Sequence, residues 1–208
     1  MISSRRAAYR ESLREDILDA ARPLFARDGY DSTSIRKIAE KLGCSPGILY
    51  HYFKDKDEIM AALVREGFDK LLEKLRPMTV DPSPIRDRMR RALRAYIEFG
   101  LENPSHYAVL FSKPSDSVPC EALMQVFHTD GFATFDCLRS MSREAMAAGE
   151  LRPELTDVEE VAQTLWMGIH GAVSVRIGVK GFPFLEQERL TDRIVDVLLT
   201  GVLRPRVA

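Results

Sequence analysis

The sequence predicts an all-α fold, in which an N-terminal three-helix domain precedes a larger helical domain. Apolar residues recur every three or four positions through most of the 208-residue chain, which is the spacing of one helix face. Glycine or proline follows most of these stripes, and Ser, Thr or Asp precedes several of them, as helix ends require. With 45% hydrophobic residues, a chain of this length can bury a substantial core.

Two short helices around a tight turn are predicted near residue 40. Ser34, or Thr33 one step earlier, can cap the first of them, whose apolar positions have helical spacing. Gly43 ends this helix, and Ser45 with Pro46 begins the next, because proline at the first helical position loses no hydrogen bond. A turn of about three residues sets the helices at a steep angle, which is the geometry of a helix-turn-helix.

The second of these helices is expected to face outward with small and polar residues rather than with solvated charges. Small residues permit close approach to base edges, and hydroxyl or imidazole groups can donate to phosphates. Ile48, Leu49 and Phe53 are expected to face inward. This pattern favours DNA reading by the outward residues, which are Ser45, Pro46, Gly47, Tyr50, His51 and Tyr52.

A phosphate site is predicted where the next helix begins. Asp55 can cap this helix, with Glu58 three residues later as the second half of a capping box. Lys54 and Lys56 would then lie beside free backbone amides at a helix N-terminus, and that combination favours a bound phosphate.

Many positions of this region agree at once with a known signature, namely Phe25, Gly29, Thr33, Ile38, Ala39, Gly43, Leu49 to Phe53 and Lys56. On these residues the chain resembles the TetR family of transcriptional regulators over roughly residues 10–60. The resemblance implies that the third helix reads DNA, that Tyr50 and Lys56 contact phosphates and that Arg36 reads a base. The full set expected at DNA is Thr33, Ser34, Arg36, Ser45, Pro46, Gly47, Tyr50, His51, Tyr52, Lys54 and Lys56.

Charge and cysteine content agree with such a protein. The net charge is −1, divided into +3 for residues 1–56 and −4 for the remainder, which permits a local DNA-binding patch and argues against coating of nucleic acid by bulk charge. Cys44, Cys120 and Cys137 have no paired close spacing, so neither disulfides nor a zinc site is expected. We expect a cytoplasmic protein, since no signal peptide or membrane-length apolar run is evident.

We assign residues 1–56 to the DNA-binding domain and residues 57–208 to a ligand-binding and dimerisation domain. The first helix should end at Asp28-Gly29, and the fourth should run to about Leu75, before a proline-rich stretch that is a soft boundary. The resemblance implies that the fourth helix spans both domains. The later helices are expected near Ile85 to Leu101, Ser105 to Phe111, Glu121 to Ala148, Val158 to Val179 and Gln187 to Leu203, with a Pro- and Ser-rich loop from Ser112 to Pro119.

The last two helices are predicted to form a homodimer interface of four helices, the arrangement that the resemblance implies. The helix that starts at Val158 is apolar around most of its circumference, and Gly168, Gly171 and Ala172 form a narrow face where another backbone could lie. The alternative is that both helices are internal core. Dimerisation suits a palindromic operator, because two recognition helices about 34 Å apart can enter successive major grooves.

Trp166 and His170 share one helix face, and with Gly171 they resemble the Trp-His-Gly group of TetR-type C-terminal domains. We expect them to line a mainly apolar ligand cavity. The alternatives are that His170 binds a backbone carbonyl and that each other candidate is plain core. Those other candidates are Tyr96, Phe99, Tyr107, Phe111, Met124, Phe127, His128 and Met167.

Enzymatic motifs find little support. We identify no nucleophile elbow, phosphate-cradling glycine loop or metal-binding histidine pair, so no catalysis, metal or cofactor is expected. The function predicted is a TetR-type repressor that binds a palindromic DNA operator as a homodimer and is released by a small, largely apolar inducer, without membrane association. The alternative is an adaptor whose C-terminal domain binds a protein.

Overall fold

The structure, a computed structural model, describes residues 2–111 and 121–205, and it confirms the predicted all-α fold. The loop expected from Ser112 to Pro119 and the residue Cys120 lie outside the described residues. The helices are α1 Ile2–Ser32, α2 Ile35–Leu42, α3 Pro46–Tyr50, α4 Lys56–Val80, α5 Ile85–Glu102, α6 Pro104–Phe111, α7 Glu121–Val126, α8 Phe132–Ala147, α9 Val158–Gly178 and α10 Gln187–Val202.

The helix boundaries depart from the sequence predictions in two places. Helix α4 continues past Pro77 to Val80, because a proline in the last turn removes only one intrahelical hydrogen bond. The single long helix expected from Glu121 to Ala148 is interrupted by a π-helical turn, Phe127–Gly131, between α7 and α8. At the end of α1, Gly29 has a φ of 77°, so the helical path breaks at the predicted Asp28-Gly29 end.

The chain divides into two compact units. The first contains Met1–Phe68 and Ser105–Asp130, and the second contains Asp69–Pro104 and Gly131–Ala208. Helix α4 therefore contributes residues to both units. The predicted domain boundary at residue 56 stays a prediction, because compactness alone does not define function.

In the first unit, α1 packs on α2 and α2 on α3, around a core that includes Ile17, Phe25, Ile38, Leu49 and Phe53. In the second unit, α5 packs against α8, α9 and α10, and its core includes Met89, Leu93, Met141, Leu165 and Val173. Both cores follow from apolar residues three and four positions apart on each helix.

Gly168 does not lie on the surface for which the sequence suggested it. A Cβ built at Gly168 would lie 2.5 Å from Cδ2 of Leu198, so the narrow part of α9 is filled by α10 of the same chain. The assignment of Gly168 to an intermolecular seam is therefore wrong. The sequence could not distinguish a close approach within the chain from one between chains.

Candidate functional site

The helix-turn-helix is built as its sequence predicted. The Ser34 side chain accepts a hydrogen bond from the amide of Lys37 at 3.3 Å, which caps α2. Gly43 ends α2 with a φ of 73°, and the Cys44 amide donates to the carbonyl of Ala39 at 3.0 Å. Helix α3 then begins at Pro46, so the turn has the predicted length.

Two side chains fix α3 to the first unit. Leu49 is the buried residue of α3, at 0% exposure, and Phe53 just beyond the helix is 1% exposed. The side chain of Tyr50 points away from this core and is 58% exposed. The other outward candidates divide into Ser45, Gly47 and His51, which are exposed, and Pro46 and Tyr52, which are half-buried.

The predicted capping box forms at the start of α4, and it changes the expected phosphate site. The amide of Glu58 donates to Oδ1 of Asp55 at 2.9 Å, and the amide of Lys54 donates to Oε2 of Glu58 at 2.6 Å. Two amides expected to be free for a phosphate are thus occupied by carboxylates, and that part of the prediction is wrong. A phosphate here would depend on the lysine side chains.

The two lysines differ in their surroundings. Lys54 is exposed, whereas the Nζ of Lys56 donates to the carbonyl of Tyr30 at 2.8 Å and lies 3.8 Å from the centroid of the Tyr30 ring. Partial burial lowers the pKa of Lys56. Its ammonium group has three donors, and the Tyr30 carbonyl takes one of them.

The residues at the start of α2 also differ. Thr33 is buried, and its hydroxyl donates to the carbonyl of Gly29 at 2.8 Å, so its side chain supports the turn instead of facing outward. Ser34 and Arg36 are exposed. Lys37, which the sequence interpretation passed over, is an exposed cation on the same helix, and its place next to Arg36 was the available signal.

The second unit brings three of the predicted ligand residues together. The hydroxyl of Tyr96 lies 3.1 Å from Nδ1 of His170, and the Trp166 and His170 rings are 5.6 Å apart. Ser174, one turn along α9, places its hydroxyl 3.3 Å from Nε2 of His170. Burial lowers the pKa of His170, so the neutral ring with one donor and one acceptor is favoured. His170 therefore contacts two side-chain hydroxyls, which the expected alternative of a backbone carbonyl did not include.

The remaining ligand candidates fall in several places. Tyr107, Phe111 and Phe127 join an aromatic cluster with Phe68 in the first unit. Phe99 is core of the second unit, whereas Met124, His128 and Met167 are exposed. Phe135, whose ring lies 5.8 Å from that of Trp166, was missed because its contact crosses between α8 and α9.

Two general properties complete the description. Among the described residues, no cluster of His, Cys, Asp and Glu side chains is arranged to hold a metal ion. The same residues contain no helix that is both long and apolar enough to cross a membrane.

Comparison with known proteins shows the family. The profile of bacterial regulatory proteins of the tetR family matches residues 17–63, and that of the tetracyclin repressor-like C-terminal domain matches residues 89–198. The AcnR repressor of Corynebacterium jeikeium is 27% identical over 80% of this chain and 84% of its own length. AcnR of Corynebacterium efficiens is 33% identical over 47% of this chain, which spans only 59% of that relative.

Solved structures agree on the fold. The crystal structure of AibR in complex with isovaleryl coenzyme A and operator DNA superposes with a TM-score of 0.76 at 21% identity, covering 89% of this chain and 97% of that one. Both units of the present chain thus have counterparts in regulators of one architecture. The chain belongs to the TetR family of transcriptional regulators and carries that family's DNA-binding helix-turn-helix.

Proposed function

We propose that this protein is a repressor that binds a palindromic operator as a homodimer and is released by a small, largely apolar inducer. The observation that carries the proposal is the exposed face of α3, where Ser45, Gly47, Tyr50 and His51 surround a helix held from behind by Leu49. Small and neutral polar groups of this kind suit base edges and phosphates. Cations flank the face at Arg36, Lys37, Lys54 and Lys56.

The dimer would form through α9 and α10. Large apolar side chains are exposed along these helices and the segment that joins them, and water contact with them is unfavourable in a single chain. A second copy related by two-fold symmetry would cover them with the same surface. The residues concerned are Met167, Val175, Val179, Phe182, Leu185 and Val197.

The inducer would contact the group formed by Tyr96, Trp166 and His170. The ring of Trp166 provides apolar area, while the hydroxyl of Tyr96 and the neutral imidazole of His170 can orient one polar group of a ligand. The complex of AibR with isovaleryl coenzyme A and operator DNA supports a ligand with a short apolar chain.

Ligand binding would reach the DNA-binding surface through α4, which has residues in both units. Within the first unit, Arg22 of α1 donates to Oε2 of Glu66 at 2.7 Å, and Nε2 of His106 in α6 lies 3.4 Å from Oε1 of the same carboxylate. Glu66 therefore links α1, α4 and α6. A ligand releases DNA only if it binds the non-binding conformation more tightly than the DNA-binding conformation.

Selection from random-sequence duplexes tests the DNA-binding half of the proposal. We expect enrichment of inverted repeats whose half-sites are about one helical turn apart. Arg36→Ala should lose about 1–3 kcal/mol and relax preference at one position of each half-site. The matched control is Lys41→Ala, which removes an exposed cation from the far end of α2 and should leave the preferred sequence unchanged. Enrichment of unrelated single sites would contradict the proposed dimer.

A fluorescence anisotropy assay on the selected duplex tests the inducer. Short-chain acyl coenzyme A compounds, beginning with isovaleryl coenzyme A, are titrated against the protein–DNA complex. Release by any of them should be weakened in Tyr96→Phe, whereas DNA binding without the compound should be unchanged. If apolar compounds fail while a protein partner binds the second unit, the adaptor function predicted as the alternative replaces the inducer.

A further inference from the structure

A cleft of about 340 Å³ opens in the second unit, where the start of α5, the segment after α8 and the end of α10 meet. Its walls carry Arg86 and Arg90 of α5, Arg152 of the segment after α8, and Arg204 just past α10. We name this the arginine cleft. It contains none of the residues of the Tyr96–His170 group, and nothing in the proposed function uses it.

Main-chain pairing gives the arginine cleft a fixed frame. Leu151 and Leu203 form an isolated antiparallel bridge. Beside it, the amide of Arg152 donates to the carbonyl of Val202 at 2.9 Å, and the amide of Arg204 donates to the carbonyl of Glu150 at 2.8 Å. The two arginines are therefore held on adjacent backbone segments by directional hydrogen bonds.

Carbonyl oxygens also orient three of the guanidinium groups. Nε of Arg204 donates to the carbonyl of Leu151 at 2.8 Å, and Nε and Nη2 of Arg152 donate to the carbonyl of Thr200 at 3.2 and 3.1 Å. Nη2 of Arg86 donates to the carbonyl of Arg204 at 2.7 Å. A carbonyl orients a guanidinium without neutralising it, so these bonds leave the positive charge in place.

The carboxylates nearby compensate this charge unevenly. Glu150 pairs with Arg86, and Asp196 pairs with Arg90, a pair in which both side chains are about half exposed and which is therefore weak. The carboxylate paired with Arg152 is Glu154, at 3.9 Å.

At Arg204, the described part of the chain provides carbonyl contacts and no ion pair. One carboxylate, Asp87, also lines the cleft. Positive charge in excess of its partners therefore concentrates at Arg152 and Arg204, on the rigid side of the cleft.

We infer that the arginine cleft binds a small polyanion, a molecule with at least two phosphate or carboxylate groups. Arg152 and Arg204 would hold one group through charge-assisted hydrogen bonds, and Arg90 would exchange its exposed partner for the second. The volume lies at the small end of ligand pockets, which excludes a polymer and suits a metabolite-sized ion. Because Arg90 and Tyr96 lie on the same helix, this anion would act on α5 from a position separate from the inducer.

The test is thermal unfolding of the full chain with sodium pyrophosphate as the probe, at constant ionic strength set with sodium chloride. The Tm should rise saturably with pyrophosphate, because a ligand that binds only the folded state stabilises it. In the double variant Arg152→Gln, Arg204→Gln, half-saturation should need at least about tenfold more pyrophosphate, since each charge-assisted bond contributes about this factor. Arg193→Gln, an exposed arginine elsewhere on α10, is the matched control and should behave as wild type.

Arg90→Gln provides a second variant, because the loss of an exposed ion pair should not prevent folding even if the double variant is unstable. Its half-saturation should rise several-fold, and isothermal titration calorimetry with pyrophosphate and with citrate should give the same order of variants. An equal Tm rise in wild type, Arg90→Gln and the double variant, or a rise that follows ionic strength alone, would reduce these arginines to supports of the C-terminal segment. Operator binding without added anion should be the same in Arg90→Gln and wild type, so failure here leaves the proposed repressor intact.

Discussion

Replacement of Leu49 by alanine should abolish operator binding without touching a DNA-contacting group. Leu49 is fully buried, and α3 has only five residues, too few to be stable as a helix without tertiary contacts. Removal of a buried leucine side chain costs about 3 kcal/mol, the transfer free energy plus the cavity that remains. For a chain of 208 residues this corresponds to a Tm lower by roughly 6–12 °C.

The assay combines urea unfolding, followed by far-UV circular dichroism, with anisotropy titrations on the selected duplex. Tyr50→Ala is the matched control, because Tyr50 is the next residue of α3 and is largely exposed. It should change the free energy of unfolding by about 0.5 kcal/mol or less and still weaken DNA binding. If Leu49→Ala costs no more stability than Tyr50→Ala, the idea that burial of Leu49 holds the recognition helix in place is incorrect.

Three further predictions concern charge, protonation and assembly. Lys54→Ala should lower the salt slope of operator binding by about 0.9 for each phosphate that no longer has a lysine beside it, hence about 1.8 per dimer, and an unchanged slope would remove Lys54 from the interface. Because burial lowers the pKa of His170, the unfolded chain binds this proton more readily, so wild type should lose stability as the pH falls below about 6.5, by at most about 1.4 kcal/mol per pH unit. His170→Gln should show a flatter profile in urea unfolding at stepped pH, and parallel profiles would contradict the assignment. Val197→Glu should give monomers in analytical ultracentrifugation while Arg193→Gln stays dimeric, and an unaltered dimer would place the interface elsewhere.

Local chemistry explains why the helix-turn-helix could be predicted from the sequence. The cap at Ser34, the left-handed Gly43 and the capping box of Asp55 and Glu58 involve residues within four positions of each other. Such features depend on the order of residues alone, and the sequence displays that order directly.

Interactions between distant residues explain what was missed. The hydrogen bond from Lys56 to the carbonyl of Tyr30 joins residues 26 positions apart, and Tyr96 meets His170 across 74 positions. The place of Gly168 against Leu198 likewise depends on how α9 and α10 cross. No local pattern encodes these distances, so the sequence could name candidates such as His170 without identifying their partners.

The division of labour within α3 has a consequence for how such regulators diversify. The first unit needs Leu49 and Phe53 to fold, while the exposed Ser45, Gly47 and Tyr50 contribute little to its core. Substitutions on the outer face can therefore alter which operator is preferred at almost no cost in stability. A new target sequence is accessible to this domain through a few surface changes, whereas changes behind the helix would unfold the part of the protein that reads DNA.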